Sequence, residues 1–344
     1  MNHYKNVVIF GGSGFIGAHF SIYFLDNNLA DKIVLADVEP PKYQNLPERL
    51  KQLVDEGKIN FVQTDVRNAL TDNTSLPKQV DVIVNLAAVH REPGHEKFEY
   101  YDTNIPGAEN VCNWARQINC QQIVFTSSIA VYGTEKIGPK TEATKPEPNS
   151  PYGVSKLAAE KINEDWVKES TERNLLIVRP GVIFGTGEAG NITRMIRGIR
   201  GRYFVFLGNQ NIIKSGGYVK ELCRSLAWML DWQKQQNQQE LIYNFTFHPA
   251  ATVAEYANSI IQAMGRKQKV WNIPYNLLLP VATVIGAVSK FIGIEQPVNA
   301  ARVKKLLREN NIIAQKLIDT GYEYKYTLNQ ALADWSQEHP EDWR

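Results

Sequence analysis

Short apolar runs alternate with longer amphipathic stretches through the first half of this chain. Val7-Val8-Ile9-Phe10 and Ile33-Val34-Leu35-Ala36 are unbroken apolar tetrads, the pattern of strands buried on both faces. Similar runs follow at Asn60-Phe61-Val62-Gln63-Thr64, at Val80-Asp81-Val82-Ile83-Val84-Asn85-Leu86, at residues 122–125 and at Leu175-Leu176-Ile177-Val178-Arg179-Pro180. Between them, residues 18–27, 101–118 and 152–167 read as helices. In the last of these, Val154, Leu157, Ala158 and Ile162 recur at steps of three and four. This alternation predicts an α/β fold, a doubly wound parallel sheet covered on both faces. Ligands of such sheets bind outside the carboxyl ends of the strands. The expected division is a cofactor-binding domain over 1–180 and a smaller, mainly substrate-binding α/β domain over 181–340. Leu241-Ile242-Tyr243-Asn244-Phe245 is expected to return as a strand beside the first domain.

One stretch departs from the pattern. Residues 277–294, LLLPVATVIGAVSKFIGI, are strongly apolar but interrupted by Pro280, two glycines and Lys290. They approach the length of a membrane span without clearly reaching it. A buried or subunit-facing helix is the first reading, an interfacial membrane contact the second and a true span the third. The remaining composition is that of a compact enzyme. At 344 residues and 43% hydrophobic content the chain can bury a substantial core. Its 38 basic and 36 acidic residues leave a net charge of +2, so no nucleic-acid partner is implied. Three cysteines, Cys112, Cys120 and Cys223, show neither metal spacing nor an even disulfide set. They suit a reducing cytoplasm, with no metal expected. The start runs directly into the first strand without a secretory signal pattern.

The first strand opens into Gly11-Gly12-Ser13-Gly14-Phe15-Ile16-Gly17 and then a helix. Glycines at this spacing permit a tight turn and let backbone approach a dinucleotide pyrophosphate, which rests on the helix N-terminus. The Rossmann-type reading gains from Asp37, an acid about twenty residues on at the end of the second strand. A carboxylate there accepts from a ribose 2′-hydroxyl and repels a 2′-phosphate, so NAD is favoured over NADP.

Tyr152-Gly-Val-Ser-Lys156 supplies the chemistry. Positions i and i+4 share a helix face, so the Lys156 ammonium would favour the Tyr152 phenolate and bring a poor base toward the working pH. Such a tyrosine exchanges a proton with a carbinol as hydride leaves or arrives. Tyr132-Gly-Thr-Glu-Lys136 has the same spacing. Context favours Tyr152, because Pro151 precedes it at a helix start whereas Tyr132 reads as a strand end entering a loop.

Taken together, GGSGFIG, Asp37, Asp65-Val66, Asn85-Leu-Ala-Ala88, Thr126-Ser-Ser-Ile-Ala-Val-Tyr-Gly133, Pro151-Tyr-Gly-Val-Ser-Lys156 and Arg179-Pro-Gly-Val-Ile-Phe-Gly185 resemble the extended short-chain dehydrogenases/reductases. Within them the chain is most similar to the NAD-dependent nucleotide-sugar epimerase/dehydratase branch. The resemblance implies that Gly11, Ser13, Gly14, Phe15, Ile16 and Gly17 hold the pyrophosphate and Asp37 the adenosine ribose. It sets Asp65 and Val66 beside the adenine, Leu86, Ala87 and Ala88 along the dinucleotide, and Asn104 near the active site. Ser128 corresponds to the family's catalytic Ser/Thr, bonding the reacting oxygen. Lys156 would also bind the nicotinamide ribose. Asn191, Lys214 and Arg302 are the implied contacts to a nucleotide-diphosphate sugar, arginine suiting phosphate geometry. A homodimer through the helices carrying residues 104–118 and 152–167 is a further family expectation.

Relatives that dehydrate or decarboxylate the sugar carry an acid just after the Ser/Thr, where this chain has Ile129-Ala130. No carboxylate is then at hand to abstract a proton beside a transient ketone. Val182 stands where some UDP-galactose epimerases carry an asparagine. The favoured reading is an NAD-dependent nucleotide-sugar 4-epimerase serving surface polysaccharide precursors. A 4-ketosugar reductase consuming NAD(P)H is the first alternative, followed by a 3β-hydroxysteroid-type lipid alcohol dehydrogenase. A non-enzymatic NAD sensor is disfavoured by the retained Tyr/Lys pair.

Overall fold

The computed structural model describes residues 2–71, 73–90, 94–134, 138–274 and 309–343. The apolar runs form the strands expected of them: β1 (Tyr4–Phe10), β2 (Ala30–Asp37), β3 (Ile59–Gln63), β4 (Val82–Asn85), β5 (Gln122–Thr126) and β6 (Asn174–Pro180). Three short strands follow, β7 (Val182–Phe184), β8 (Val205–Leu207) and β9 (Gly216–Tyr218), before β10 (Glu240–Phe245) returns to the main sheet. That sheet is parallel throughout, in the order β3-β2-β1-β4-β5-β6-β10.

Side chains alternate across the pleat, so each buried strand feeds two cores. Val7, Ile9, Leu35, Val84 and Leu176 face one layer, while Val8, Phe10, Ile83, Phe125 and Ile177 face the other. The first layer contains α1 (Phe15–Asp26) and α2 (Glu48–Asp55). The second contains α3 (Lys97–Gln117) and α4 (Pro151–Lys168). Beyond β7 come α5 (Asn191–Arg200), α6 (Val219–Gln235), α7 (Val253–Ala263) and β11 (Trp271–Ile273), then α8 (Gln315–Asp319) and α9 (Leu328–Glu338). Two parallel pairs, β7 with β9 and β8 with β11, are the only sheets outside the main one among the described residues. Helix α6 packs on α1 and leads into β10, so this later part of the chain completes the first layer.

The strand order reverses between β1 and β4, because the chain builds outward through β2 and β3 before crossing back. The turn after β1 therefore opens into the crevice where doubly wound sheets take their ligands. The apolar stretch 277–294 and Arg302 lie outside the described residues. Among those described, no helix is long and apolar enough to cross a membrane.

Candidate active site

The glycine segment forms the turn from β1 into α1. Gly11 has φ +73°, and a Cβ there would meet the Ala87 backbone nitrogen at 2.7 Å. Only glycine lets the turn lie this close to the end of β4. Helix α1 starts at Phe15 with Gly14 as its cap, no side-chain capping bond and no acid in its first turn. Its first-turn N–H groups and positive dipole end thus face the crevice with no acid of the helix's own beside them. The Ser13 hydroxyl is buried and has no hydrogen-bond partner. Such a cradle fits a dinucleotide pyrophosphate, which would supply the missing acceptors.

Asp37 closes the same end of the sheet. Its carboxylate accepts from the backbone N–H of Ser13 at 3.1 Å and of Val38 at 2.8 Å, and burial raises its pKa. Asp65 is paired with Arg67 at 2.6 Å, and that hydrogen-bonded guanidinium lowers its pKa. The adjacent Val66 is buried, with its carbonyl accepting from Asn110 Nδ2 at 2.8 Å. Leu86 continues β4 by donating its N–H to the Phe10 carbonyl. Asn104 lies well inside α3, not at a helix start. Its amide accepts from Val89 N–H at 2.8 Å and donates to Ser155 Oγ at 2.8 Å. It therefore ties the strand exit after Ala87 and Ala88 to the helix carrying Tyr152.

Helix α4 is well specified locally. Ser150 caps it, accepting from Gly153 N–H at 3.2 Å, and Pro151 occupies its first turn. Gly153, next to Tyr152, allows the close approach that builds the site. A Cβ there would stand 2.5 Å from the Ala130 carbonyl oxygen. Through that contact the start of α4 abuts the single 3₁₀ turn Ile129–Tyr132 that follows β5. Ser128 caps this turn, its Oγ accepting from Ala130 N–H at 3.2 Å, which leaves its own O–H as a donor. Lys156 is buried, with its ammonium 4.6 Å from the Phe125 ring centroid on β5. Burial pulls its pKa down to about 7 against the opposing pull of Glu160. Ser128, Tyr152 and Lys156 are thus drawn to one end of the β5–α4 unit.

Glu160 and Arg179 went unread in the sequence. Both side chains are buried and joined by two hydrogen bonds of 2.7 and 2.8 Å. A charged residue four positions after Lys156, on the helix's inner face, was the available signal. Arg179 also donates to the Tyr132 hydroxyl at 3.0 Å, and that hydroxyl donates to Asn244 Oδ1 at 2.8 Å. The substrate-side candidates are more scattered. Asn191 opens α5 and is exposed, accepting from Arg194 at 2.6 Å. Lys214 is half-buried between β8 and β9, with its pKa lowered by burial. Among the described residues no cluster of His, Cys, Asp and Glu could hold a metal.

Comparison with known proteins agrees with this geometry. The model of the NAD dependent epimerase/dehydratase family matches residues 7–245. A 4-epimerase of Escherichia coli O157:H7, named for N-acetyl-α-D-glucosaminyl-diphospho-undecaprenol, is 30% identical over 335 residues, covering 95% of this chain and 93% of that protein. UDP-glucose 4-epimerase of Neisseria meningitidis serogroup C is 29% identical over 57% of this chain and 58% of its own length. The crystal structure of a UDP-glucuronic acid 4-epimerase from Bacillus cereus, in complex with NAD, superposes with a TM-score of 0.76 at 18% identity, covering 99% of this chain and all of that one. Family model and end-to-end relative converge: the chain belongs to the NAD-dependent epimerase/dehydratase family of enzymes.

Proposed function

We propose that this protein is an NAD-dependent 4-epimerase of a diphosphate-linked sugar, taking a nucleotide-diphosphate sugar as substrate. The observation that carries the reading is the relative that aligns over 95% of the chain and is itself a 4-epimerase. Ile129-Ala130 supports it, since no carboxylate stands beside Ser128 to drive an elimination. The glycine turn and Asp37 would hold NAD, which would supply a hydride acceptor and donor for the sugar C4. The Tyr152 phenolate takes the C4 hydroxyl proton as the hydride leaves, and Ser128 O–H donates to the same oxygen. Lys156, protonated below about pH 7, would hold positive charge beside the phenolate. Once the 4-keto sugar has turned over, Tyr152 would return the proton to the C4 oxygen on the opposite face. Atoms and charge balance with no net reduction.

A second carrier is favoured by one specific observation, because the end-to-end relative is named for an undecaprenol-linked sugar and not for a nucleotide. Both carriers present a sugar on a diphosphate. Asn191, Lys214 and Arg302 are the proposed diphosphate contacts. The test is to incubate the purified protein separately with UDP-sugars and with polyprenyl-diphospho-N-acetylglucosamine, following products by NMR and the nicotinamide by absorbance. Isomer formation without net NADH change supports the epimerase, and the productive carrier identifies the substrate. Stoichiometric NADH loss would turn the reading to a reductase. Oxidation of steroid or lipid alcohols alone would sink the sugar assignment.

The enzyme is proposed to act in the cytoplasm as a homodimer joined through α3 and α4. Phe98 on α3 and Val154 on α4 support that face, being 61% and 39% exposed. Phe98→Asp should shift the species seen by light scattering from dimer to monomer. An unchanged mass would remove this face as the interface.

A further inference from the structure

Positive and negative charges nearly cancel over the whole chain, yet they are unevenly laid out. No acid occurs between Glu188 and Glu221, a run that includes Arg194, Arg197, Arg200 and Arg202. None occurs from Tyr256 to Pro274, which contains Arg266, Lys267 and Lys269. The fold sets these two runs side by side. Arg266 donates to the Arg200 carbonyl at 3.0 Å and Gln268 to the Ile199 carbonyl at 3.1 Å. Strand β11 pairs with β8, placing Trp271 opposite Val205.

The joined surface is cationic and aromatic. Arg194, Arg197, Arg202, Arg266, Lys267 and Lys269 are exposed, and none forms an ion pair among the described residues. Tyr203 is 70% exposed and Trp271 is 71% exposed, with the Lys269 ammonium 5.8 Å from the Trp271 ring centroid. An ordinary solvated face interleaves both signs of charge and does not leave an indole in water. Lys267 and Lys269 also line a cleft of about 650 Å³ together with Phe206 and Gln210.

We infer that this surface, formed by the end of α5, the segment after α7 and the β8–β11 pair, docks the enzyme on an anionic lipid bilayer. Clustered lysines and arginines are drawn to acidic headgroups. Indole and phenol rings settle at the headgroup boundary, where one end finds apolar contact and the other a hydrogen-bond partner. The inference stands on this patch and does not depend on which sugar carrier the active site takes.

Co-sedimentation of the full chain with vesicles tests it. Binding is expected to phosphatidylcholine vesicles containing phosphatidylglycerol and not to phosphatidylcholine alone. It should be lost near 1 M salt, where the screening length falls to about 3 Å. Replacing two cations together, Lys267→Gln with Lys269→Gln, should weaken partitioning by about thirtyfold. Trp271→Phe should remove part of the tryptophan quenching produced by brominated lipid. Equal binding to neutral and anionic vesicles, unchanged partitioning of the charge variants, or no vesicle binding by the wild-type chain would each overturn the inference. So would salt-sensitive capture of duplex DNA in place of vesicles, which would assign the patch to nucleic acid.

Discussion

Tyr132 and Tyr152 begin from the same five-residue spacing and end in opposite environments. The Tyr132 hydroxyl is buried and held from two sides, by Arg179 and Asn244, and burial raises its pKa. Tyr152 lies in the first turn of α4, four residues from a lysine whose pKa burial has pulled down to about 7. The difference arises from backbone, not from the motif. The turn Ile129–Tyr132 points its tyrosine at Arg179 of β6 and Asn244 of β10, whereas the proline-started helix holds its tyrosine ring 6.2 Å from that of Tyr100 on α3. A hydroxyl locked into a network is a structural strut. A tyrosine in the first turn of α4, four residues from a buried lysine, has the setting that the proposed proton transfer asks for.

Exchanging the two tyrosines for phenylalanine should separate these roles most sharply. Tyr152→Phe is expected to lower turnover by about 10²- to 10⁴-fold, the range of general acid–base catalysis. NAD affinity, measured by fluorescence titration, should stay close to wild type. Turnover within a few-fold of wild type would remove Tyr152 from the chemistry. The next largest effect should come from the strut side. Arg179→Met leaves Glu160 buried without its partner, which should cost about 3–5 kcal/mol of stability by urea unfolding. A loss below about 1 kcal/mol would mean that water or another cation reaches Glu160.

Lys156 links stability to pH, and its sign follows from the lowered pKa. Between about 7 and 10.5 the unfolded chain binds a proton that the native lysine does not. Native stability therefore rises with pH across that window. Replacing the lysine, Lys156→Met, should abolish the rise, which should amount to a few kcal/mol between pH 7 and pH 10. Parallel pH curves for the two proteins would contradict a buried neutral lysine. The smallest effect should be that of Tyr132→Phe, which leaves Arg179 and Asn244 each short of one bond. A stability loss of about 1–3 kcal/mol is expected, with turnover within a few-fold. A collapse of turnover with stability intact would reverse the assignment of the two tyrosines.

What the sequence disclosed divides along the same line. Strands β1, β4, β5 and β6 were legible because apolar runs buried on both faces need no partner information, whereas the edge strand β3 leaves Asn60 and Gln63 exposed. Helix α4 was legible because Ser150, Pro151 and the spacing of Val154, Leu157 and Ile162 all point one way. Element ends were less clear: α3 begins at Lys97, four residues before the first residue read as helical, under a capping box of Glu96 and Glu99. Tyr132 closes a 3₁₀ turn instead of a strand, because Ser128 caps the chain two residues after β5. The Glu160–Arg179 pair was illegible for a different reason. Its partners lie nineteen residues apart on a helix and a strand, and only the packing of α4 on β6 turns two ordinary charges into one buried unit.

The position of β10 bears on how the protein is made. As an edge strand that pairs with β6 along residues 175–180, it is synthesised some sixty residues after its neighbour. Until the ribosome has passed Phe245, β6 presents an open row of amides and carbonyls flanked by Leu176 and Val178, an invitation to pair with another nascent chain. A chain cut short near residue 180, although it would keep the glycine turn, Ser128, Tyr152 and Lys156, would make that transient edge permanent. It should aggregate more readily than the full chain.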